Sequence, residues 1–277
     1  MRIIRTAREM AHFIDSAKDK SVGFVPTMGS LHDGHLSLVR KSLSENGVTI
    51  ASIFVNPTQF NDSEDFERYP RQYEADQNLL GETGCDVLFL PSVKEIYPQP
   101  DQTTYDLGEV AKVLEGRHRP GHFNGVASVV RRLFEIVRPD RAYFGLKDYQ
   151  QYLVIKALNE KLDLGVEIVG CDIMRDSDGL AMSSRNQLLS RDEKALALHL
   201  SETLRKMSEK SRNGLSSAEL ESWGFNYLSS FPEIEVEYVA VVKSDDLRPV
   251  IDDEAEDRRA LIAAKVGSVR LIDNIKI

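Results

Sequence analysis

Short apolar runs alternate with amphipathic helical patterns over residues 1–176, and that alternation limits the possible folds more than any other feature of the sequence. Residues 22–25 form an apolar run that ends at Pro26. A glycine-containing turn follows, after which Leu36, Val39 and Leu43 recur on one helical face. Residues 48–55 are apolar except for Thr49 and Ser52, the pattern of a strand covered on both faces. Strand, helix and strand make a βαβ unit with a right-handed crossover. The alternation goes on with a helix over 72–80, a strand over 87–90, a helix over 126–137, a strand over 141–144, a helix over 149–162 and a strand over 166–174. It predicts a doubly wound, Rossmann-like α/β domain with a parallel sheet.

Beyond about residue 176 the pattern changes. Helices are expected over 191–210 and 217–230, followed by strands over 236–242, 259–265 and 269–272 separated by polar and glycine-containing turns. This reads as a smaller α+β domain, 177–277, with an antiparallel sheet. A chain of 277 residues can bury two such cores, and the two domains are expected to flank a shared cleft.

With Lys+Arg 35 against Asp+Glu 44, the net charge of -9 argues against a nucleic-acid partner. The two cysteines, Cys85 and Cys171, form no C-x-x-C pair and read as small core residues in a reducing compartment. Residues 1–14 mix Arg, Glu, His and Asp among apolar residues, unlike a secretory signal, and no run has the length of a membrane span. A soluble, cytoplasmic protein without a membrane partner is expected.

Three loops carry most of the chemistry. In Pro26-Thr-Met-Gly-Ser-Leu-His32-Asp-Gly-His35 a strand hands over to a helix. A helix N-terminus presents free N–H groups, and Gly29 and Gly34 allow the backbone to approach a phosphate oxygen, with two imidazoles beside it. The alternative is a pair of solvent-facing or capping histidines; a zinc site fits less well, since the H-E-x-x-H pattern is absent. In Gly179-Leu-Ala-Met182-Ser183-Ser184-Arg185-Asn186, two hydroxyls beside a guanidinium make a compact set of anion donors, against the alternative of a serine-rich turn. In Tyr143-Phe-Gly145-Leu-Lys147-Asp148-Tyr-Gln-Gln151, at a strand end, Lys147 is suited to phosphate and Asp148 to ribose or to a helix N-cap. Val55-Asn56-Pro57-Thr-Gln59-Phe60 and Arg119-Pro-Gly-His122-Phe-Asn-Gly125-Val126 are polar loops at the same expected edge.

In order and spacing, P-T-M-G-x-L-H-x-G-H, V-N-P-x-Q-F, G-H-F-x-G-V, G-x-K-D-x-Q-Q and G-L-A-x-S-S-R-N resemble the pantothenate synthetase family over the whole chain, including the closing Arg270-Leu-Ile-Asp273-Asn274. The resemblance implies a nucleotidyltransferase-type Rossmann domain with a lid-like C-terminal domain, a homodimer, and ATP with Mg²⁺ used to join pantoate to β-alanine through a pantoyl adenylate. It assigns His35, His32, Lys147 and Arg185 to catalysis, with His35 as proton donor. Met28, Gly29, His32, Gly34, His35, Gly145, Leu146, Lys147, Asp148, Met174, Met182, Ser183, Ser184 and Arg185 are matched to ATP, Met174 through its backbone. Gln59 and Gln151 match the pantoate-holding pair, with Asn56 and His122 beside them. Leu146 departs from the Glu or Gln common at its place in the family. The metal ligands stay open, with Asp76 named as a weak candidate. A nucleotidyltransferase sharing the H-x-G-H strategy, or a nucleotide-sensing module without turnover, are the rival readings; a pyrophosphate-release assay separates them.

Overall fold

The computed structural model describes residues 1–60, 63–99, 101–250 and 257–277, with backbone alone at 63–65. In chain order the first part runs β1 (Arg2–Ile4), α1 (Ala7–Ser16), β2 (Val22–Thr27), α2 (Asp33–Glu45), β3 (Val48–Ile53), α3 (Ser63–Arg68), α4 (Tyr73–Thr83), β4 (Val87–Phe89), α5 (Val93–Ile96), α6 (Glu115–His118), α7 (His122–Val137), β5 (Arg141–Gly145), α8 (Tyr149–Lys161) and β6 (Glu167–Cys171). The strands form one parallel sheet in the order β1-β4-β3-β2-β5-β6. The expected parallel α/β architecture is present, with one strand and one helix more at its start.

Side chains alternate between two buried faces. Phe24, Ile50 and Phe89 face one core with Val126, Val130 and Phe134 of α7. Val25, Ala51 and Leu88 face the other with Leu36 and Val39 of α2 and Leu80 of α4. Phe24 and Val25 are both 0% exposed, so burial of each contributes roughly 1.5–3 kcal/mol. Cys85 and Cys171 are free and buried in the second core, where loss of solvent pushes both thiols up to about 11.

Several boundaries move from their expected places for local reasons. β3 stops at Ile53 because the Phe54 N–H makes a last bond to the Thr27 carbonyl, after which Asn56 caps a 3-10 turn over Pro57–Gln59. α7 starts at His122 rather than 126, entered through left-handed Gly121 (φ 83), so His122 and Gly125 belong to its first turn. β6 ends at Cys171, short of 174.

By compactness the chain divides into a first unit of Met1–Leu146 with Gln151–Asp172 and a second of Lys147–Gln150 with Ile173–Ile277. The second unit holds α9 (Arg191–Arg212), α10 (Ser217–Ser229), β7 (Ile234–Lys243), β8 (Arg258–Val266) and β9 (Val269–Lys276). The three strands form the expected antiparallel sheet. Leu200, Leu204 and Met207 of α9 and Leu220 of α10 pack with Ile262 and Ala264 of β8.

The first sheet is filled from β2 through β3 to β4, then resumes on the other side of β2 with β5 and β6. Strand order therefore reverses between β2 and β5. In an open parallel sheet, ligands bind outside the carboxyl ends of the strands at that reversal.

Candidate functional site

β2 delivers the chain to this point at Thr27. The Thr27 hydroxyl donates to the Ser52 carbonyl (2.7 Å) and accepts the Gly29 N–H (3.2 Å). Gly29 (φ 81) and Ser30 (φ 51) then both take left-handed backbone, which turns successive N–H groups the same way. Ser30 N–H donates to Asp76 Oδ2 (2.8 Å) and Leu31 N–H to Asp76 Oδ1 (2.7 Å). Asp76, in the first turn of α4, is 1% exposed. Burial pushes its carboxyl above the ordinary range, and the Leu31 and Ser30 N–H groups draw it part of the way back.

His32 is the N-cap of α2, and its backbone N–H points at Nδ1 of His35, 3.4 Å away at the third helical position. The H-x-x-H spacing is thus capping-box spacing, with an imidazole where Glu or Gln usually reaches back. The two rings lie 4.0 Å apart between centroids. Because Nδ1 of His35 accepts a hydrogen bond, the neutral ring carries its proton on Nε2 and presents that atom as a donor.

The amides of Gly29, Ser30, Leu31 and His32 all have intramolecular acceptors. The first helical bonds of α2 run from His35 and Leu36 N–H to the His32 carbonyl, so Asp33 and Gly34 occupy the positions where a helix start leaves its N–H groups outside the ladder. Asp76, a weak metal candidate in the sequence, places both carboxylate oxygens on amides of this loop.

The turn after β3 touches the same loop. Gln59 Nε2 donates to Met28 Sδ (2.9 Å), a weak acceptor that a ligand can displace at little cost. Asn56 is 1% exposed and saturated: Nδ2 donates to the Gly125 carbonyl (3.0 Å) and Gln59 Oε1 (3.3 Å), while Oδ1 accepts from Thr58 N–H (3.3 Å) and Tyr97 OH (3.2 Å). Its amide orients Gln59 from inside the protein. His122 is buried against the Gln59 carbonyl, and its Nε2 lies 3.2 Å from Arg119 Nη1. Gly125 lets α7 approach this turn: a Cβ there would lie 2.3 Å from the Thr58 carbonyl oxygen. Gln151, the other member of the glutamine pair, is half-buried on a different element, the first turn of α8.

Gly145 ends β5. Leu146 lies over β6, where a Cβ on Gly170 would meet its Cδ2 at 2.8 Å and the Tyr152 ring at 3.3 Å, so an apolar side chain here fills a packing position.

In the second unit, Lys147 Nζ lies 3.6 Å from Asp148 Oδ1. The Lys147 carbonyl accepts from Asn274 Nδ2 (2.9 Å), and Asn274 Oδ1 accepts from Arg259 Nη1 (2.5 Å), whose guanidinium stacks 3.8 Å over Tyr149. Met174 is 40% exposed while its carbonyl accepts the Met182 N–H (2.9 Å). The Ser183 hydroxyl caps the 3-10 turn Ser184–Leu188 by accepting the Arg185 N–H (3.3 Å), and Asn186 Nδ2 donates to the Ala181 carbonyl. Arg175 pairs with buried Asp273 through two bonds of 2.7 and 2.9 Å. The Ser183 oxygen thus serves as the cap of this turn.

Sequence reasoning missed three of these residues, Asp76 as a loop anchor, Gly125 as a contact and Asn274 as the support of Lys147. Among the described residues there is no group of three or more His, Cys, Asp or Glu that could hold a metal. No described helix is long and apolar enough to cross a membrane.

A parallel sheet whose strand reversal carries a histidine-bearing loop and an amide-bearing turn defines a Rossmann-like ligand-binding enzyme domain. The family model for pantoate-beta-alanine ligase matches residues 2–276. A pantothenate synthetase of Porphyromonas gingivalis is 46% identical over 279 residues, 100% of this chain and 99% of the relative. The crystal structure of pantothenate synthetase from Thermus thermophilus superposes with a TM-score of 0.94 at 44% identity, covering 100% of this chain and 99% of that one. A pantoate-beta-alanine ligase from Francisella tularensis, complexed with beta-gamma ATP and beta-alanine, gives 0.85 at 36% identity, covering 100% and 97%. The chain belongs to the pantoate–β-alanine ligase family.

Proposed function

We propose that the protein condenses (R)-pantoate with β-alanine through a pantoyl adenylate. A pantoate carboxylate oxygen attacks the α-phosphorus of ATP and pyrophosphate leaves; the β-alanine amine then attacks the acyl carbon and AMP leaves. The observation that carries this reading is the 2.9 Å contact of Gln59 Nε2 with Met28 Sδ, which joins the amide turn proposed for the acid to the loop proposed for the nucleotide. Acyl adenylation needs that adjacency, because the reacting atoms must come within about 3–3.5 Å.

In this reading the Nε2–H of His35 donates to phosphate charge as it develops, with His32 at its side, and Gly34 opens the helix N-terminus to the nucleotide. Lys147, Ser183, Ser184 and Arg185 serve the triphosphate, with Gly145, Asp148, Met174 and Met182 contributing further nucleotide contacts. Gln59 and Gln151 hold pantoate, while Asn56 and His122 keep Gln59 in position. Mg²⁺ enters as part of the MgATP substrate. The family reading also carries a homodimeric, cytoplasmic enzyme. The amine step needs a neutral nucleophile, whereas an alkylammonium has a pKa of roughly 10.4, so the amine must lose a proton on the way.

Pyrophosphate exchange into ATP is the test. It should require pantoate and not β-alanine, and AMP release should require both; exchange independent of pantoate would remove the proposal.

A further inference from the structure

We propose that Asp76 is a positioning residue for adenylation: its buried carboxylate clamps the left-handed turn at Gly29 and Ser30 and so sets the angle at which His35 and the start of α2 are presented. The inference rests on the functional reading above for its kinetic consequence, and on geometry alone for the clamp.

The turn is costly in isolation. Ser30 is not glycine yet sits at φ 51, in a region that side chains disfavour. Something must hold it there, and the two N–H groups that this backbone turns inward both end on one carboxylate, at 2.8 and 2.7 Å. Charge-assisted bonds of this kind are about twice as strong as neutral ones. Asp76 reaches the turn from another helix, 46 residues from Ser30 and 45 from Leu31, so the contact is tertiary. Leu31 is followed directly by His32, the cap of α2, and His35 is tied back to the His32 N–H. Any rotation of the turn is therefore passed to the His35 ring. Gly29 is fitted to the same arrangement: a Cβ there would lie 2.9 Å from Asp76 Oδ2 and 3.0 Å from Ile53 Cγ2. A residue with both oxygens so placed anchors its own chain, which accounts for a buried acid beside a site that must attract phosphate.

The test compares the full-length protein with Asp76→Asn, which keeps the volume but turns an N–H₂ toward one of the two amides, and with Gly29→Ala, which crowds the clamp from the other side. Amide hydrogen exchange should show Ser30 and Leu31 protected in the parent and about 10-fold to 100-fold faster in Asp76→Asn, the range for losing bonds to a charged acceptor. Amides of Val25 and Ile50 in the strands should stay unchanged. Both variants should lower the turnover of pantoate-dependent pyrophosphate exchange by on the order of 10²-fold, as for displacement of a positioned group by about 1 Å. Their pantoate KM should move by less than about threefold, because the Gln59 turn stays in place. Unchanged protection of Ser30 and Leu31, loss shared equally with Val25 and Ile50, or normal turnover with the turn open would each overturn the proposal. If the parent itself shows no pantoate-dependent exchange, the functional reading fails, and the hydrogen-exchange arm still decides the clamp.

Discussion

His122 Nδ1 lies 2.8 Å from the backbone carbonyl oxygen of Gln59. A carbonyl only accepts, so Nδ1 carries the proton and Nε2 is left to accept from Arg119 Nη1 at 3.2 Å. The ring thus ties the first turn of α7 to the turn that holds Gln59.

Loss of that tie should raise the pantoate KM while the ATP KM stays constant. His122→Ala removes one hydrogen bond worth about 1 kcal/mol net, giving roughly a fivefold to tenfold rise. His122→Asn can place an amide N–H where Nδ1–H was and should recover most of the loss. Steady-state kinetics with each substrate varied in turn checks both; a matching rise in the ATP KM would show that His122 supports the fold generally.

Gly125→Ala should act on the same turn by steric means. Its Cβ would fall 2.3 Å from the Thr58 carbonyl oxygen and 2.9 Å from Gln59 Cα, and both are backbone atoms with little freedom to yield. Overpacking costs about 1–3 kcal/mol. At roughly 2–4 °C per kcal/mol this lowers the Tm by about 2–12 °C. Pantoate KM should rise with it, because Asn56 also bonds the Gly125 carbonyl. A variant with parental Tm and parental KM would mean that α7 and the turn can move apart freely.

These contacts mark the limit of what the sequence reveals. β2 and β3 were legible because both faces are buried, leaving an almost unbroken apolar run. β1 was not, since it is three residues long and two of them are exposed; the Thr6-x-x-Glu9 capping box of α1 was the available signal just after it. β9 runs to Lys276, past the expected stop at 272, because Asp273 and Asn274 are buried polar residues that break the apolar pattern. The motif loops were recognisable from local order. Asp76, Gly125 and Asn274 act across 46, 69 and 127 residues on Ser30, Asn56 and Lys147, and no local spacing encodes such pairs.

The second unit carries an acid-sensitive cluster. Glu202 is held down to about 2 by the Lys206 ammonium first, then by His199, with Tyr227 also donating. A depressed carboxyl stabilises the fold fully above its ordinary value of 4.5, and that contribution fades as pH falls toward about 2. The side chain is 35% exposed, so solvent screening limits the contribution to under about 1 kcal/mol. Urea midpoints for the parent and Glu202→Gln should therefore differ at pH 7, draw together below about pH 4.5 and converge only near pH 2. A gap that stays constant with pH would assign the effect to packing rather than charge.

The sharpest division of roles concerns His35, whose Nδ1 serves the cap of α2 while Nε2 is the proposed donor. His35→Ala removes both. His35→Gln keeps an oxygen able to accept the His32 N–H, as Gln does at the third position of a capping box, and retains an amide N–H but no transferable proton. The Ala variant should lose about 0.5–2 kcal/mol of stability with the cap, whereas Gln should hold the parental Tm. In single-turnover adenylation, Ala should fall by about 10²-fold to 10³-fold, the usual cost of removing one donor aimed at developing charge. Gln should lie between Ala and the parent, because it can still form a hydrogen bond. If Gln restores the full rate, the ring acts only as a hydrogen-bonding cap and no proton passes through it. If Gln is as slow as Ala despite an intact Tm, proton transfer from Nε2 is the part of the role that the amide cannot supply.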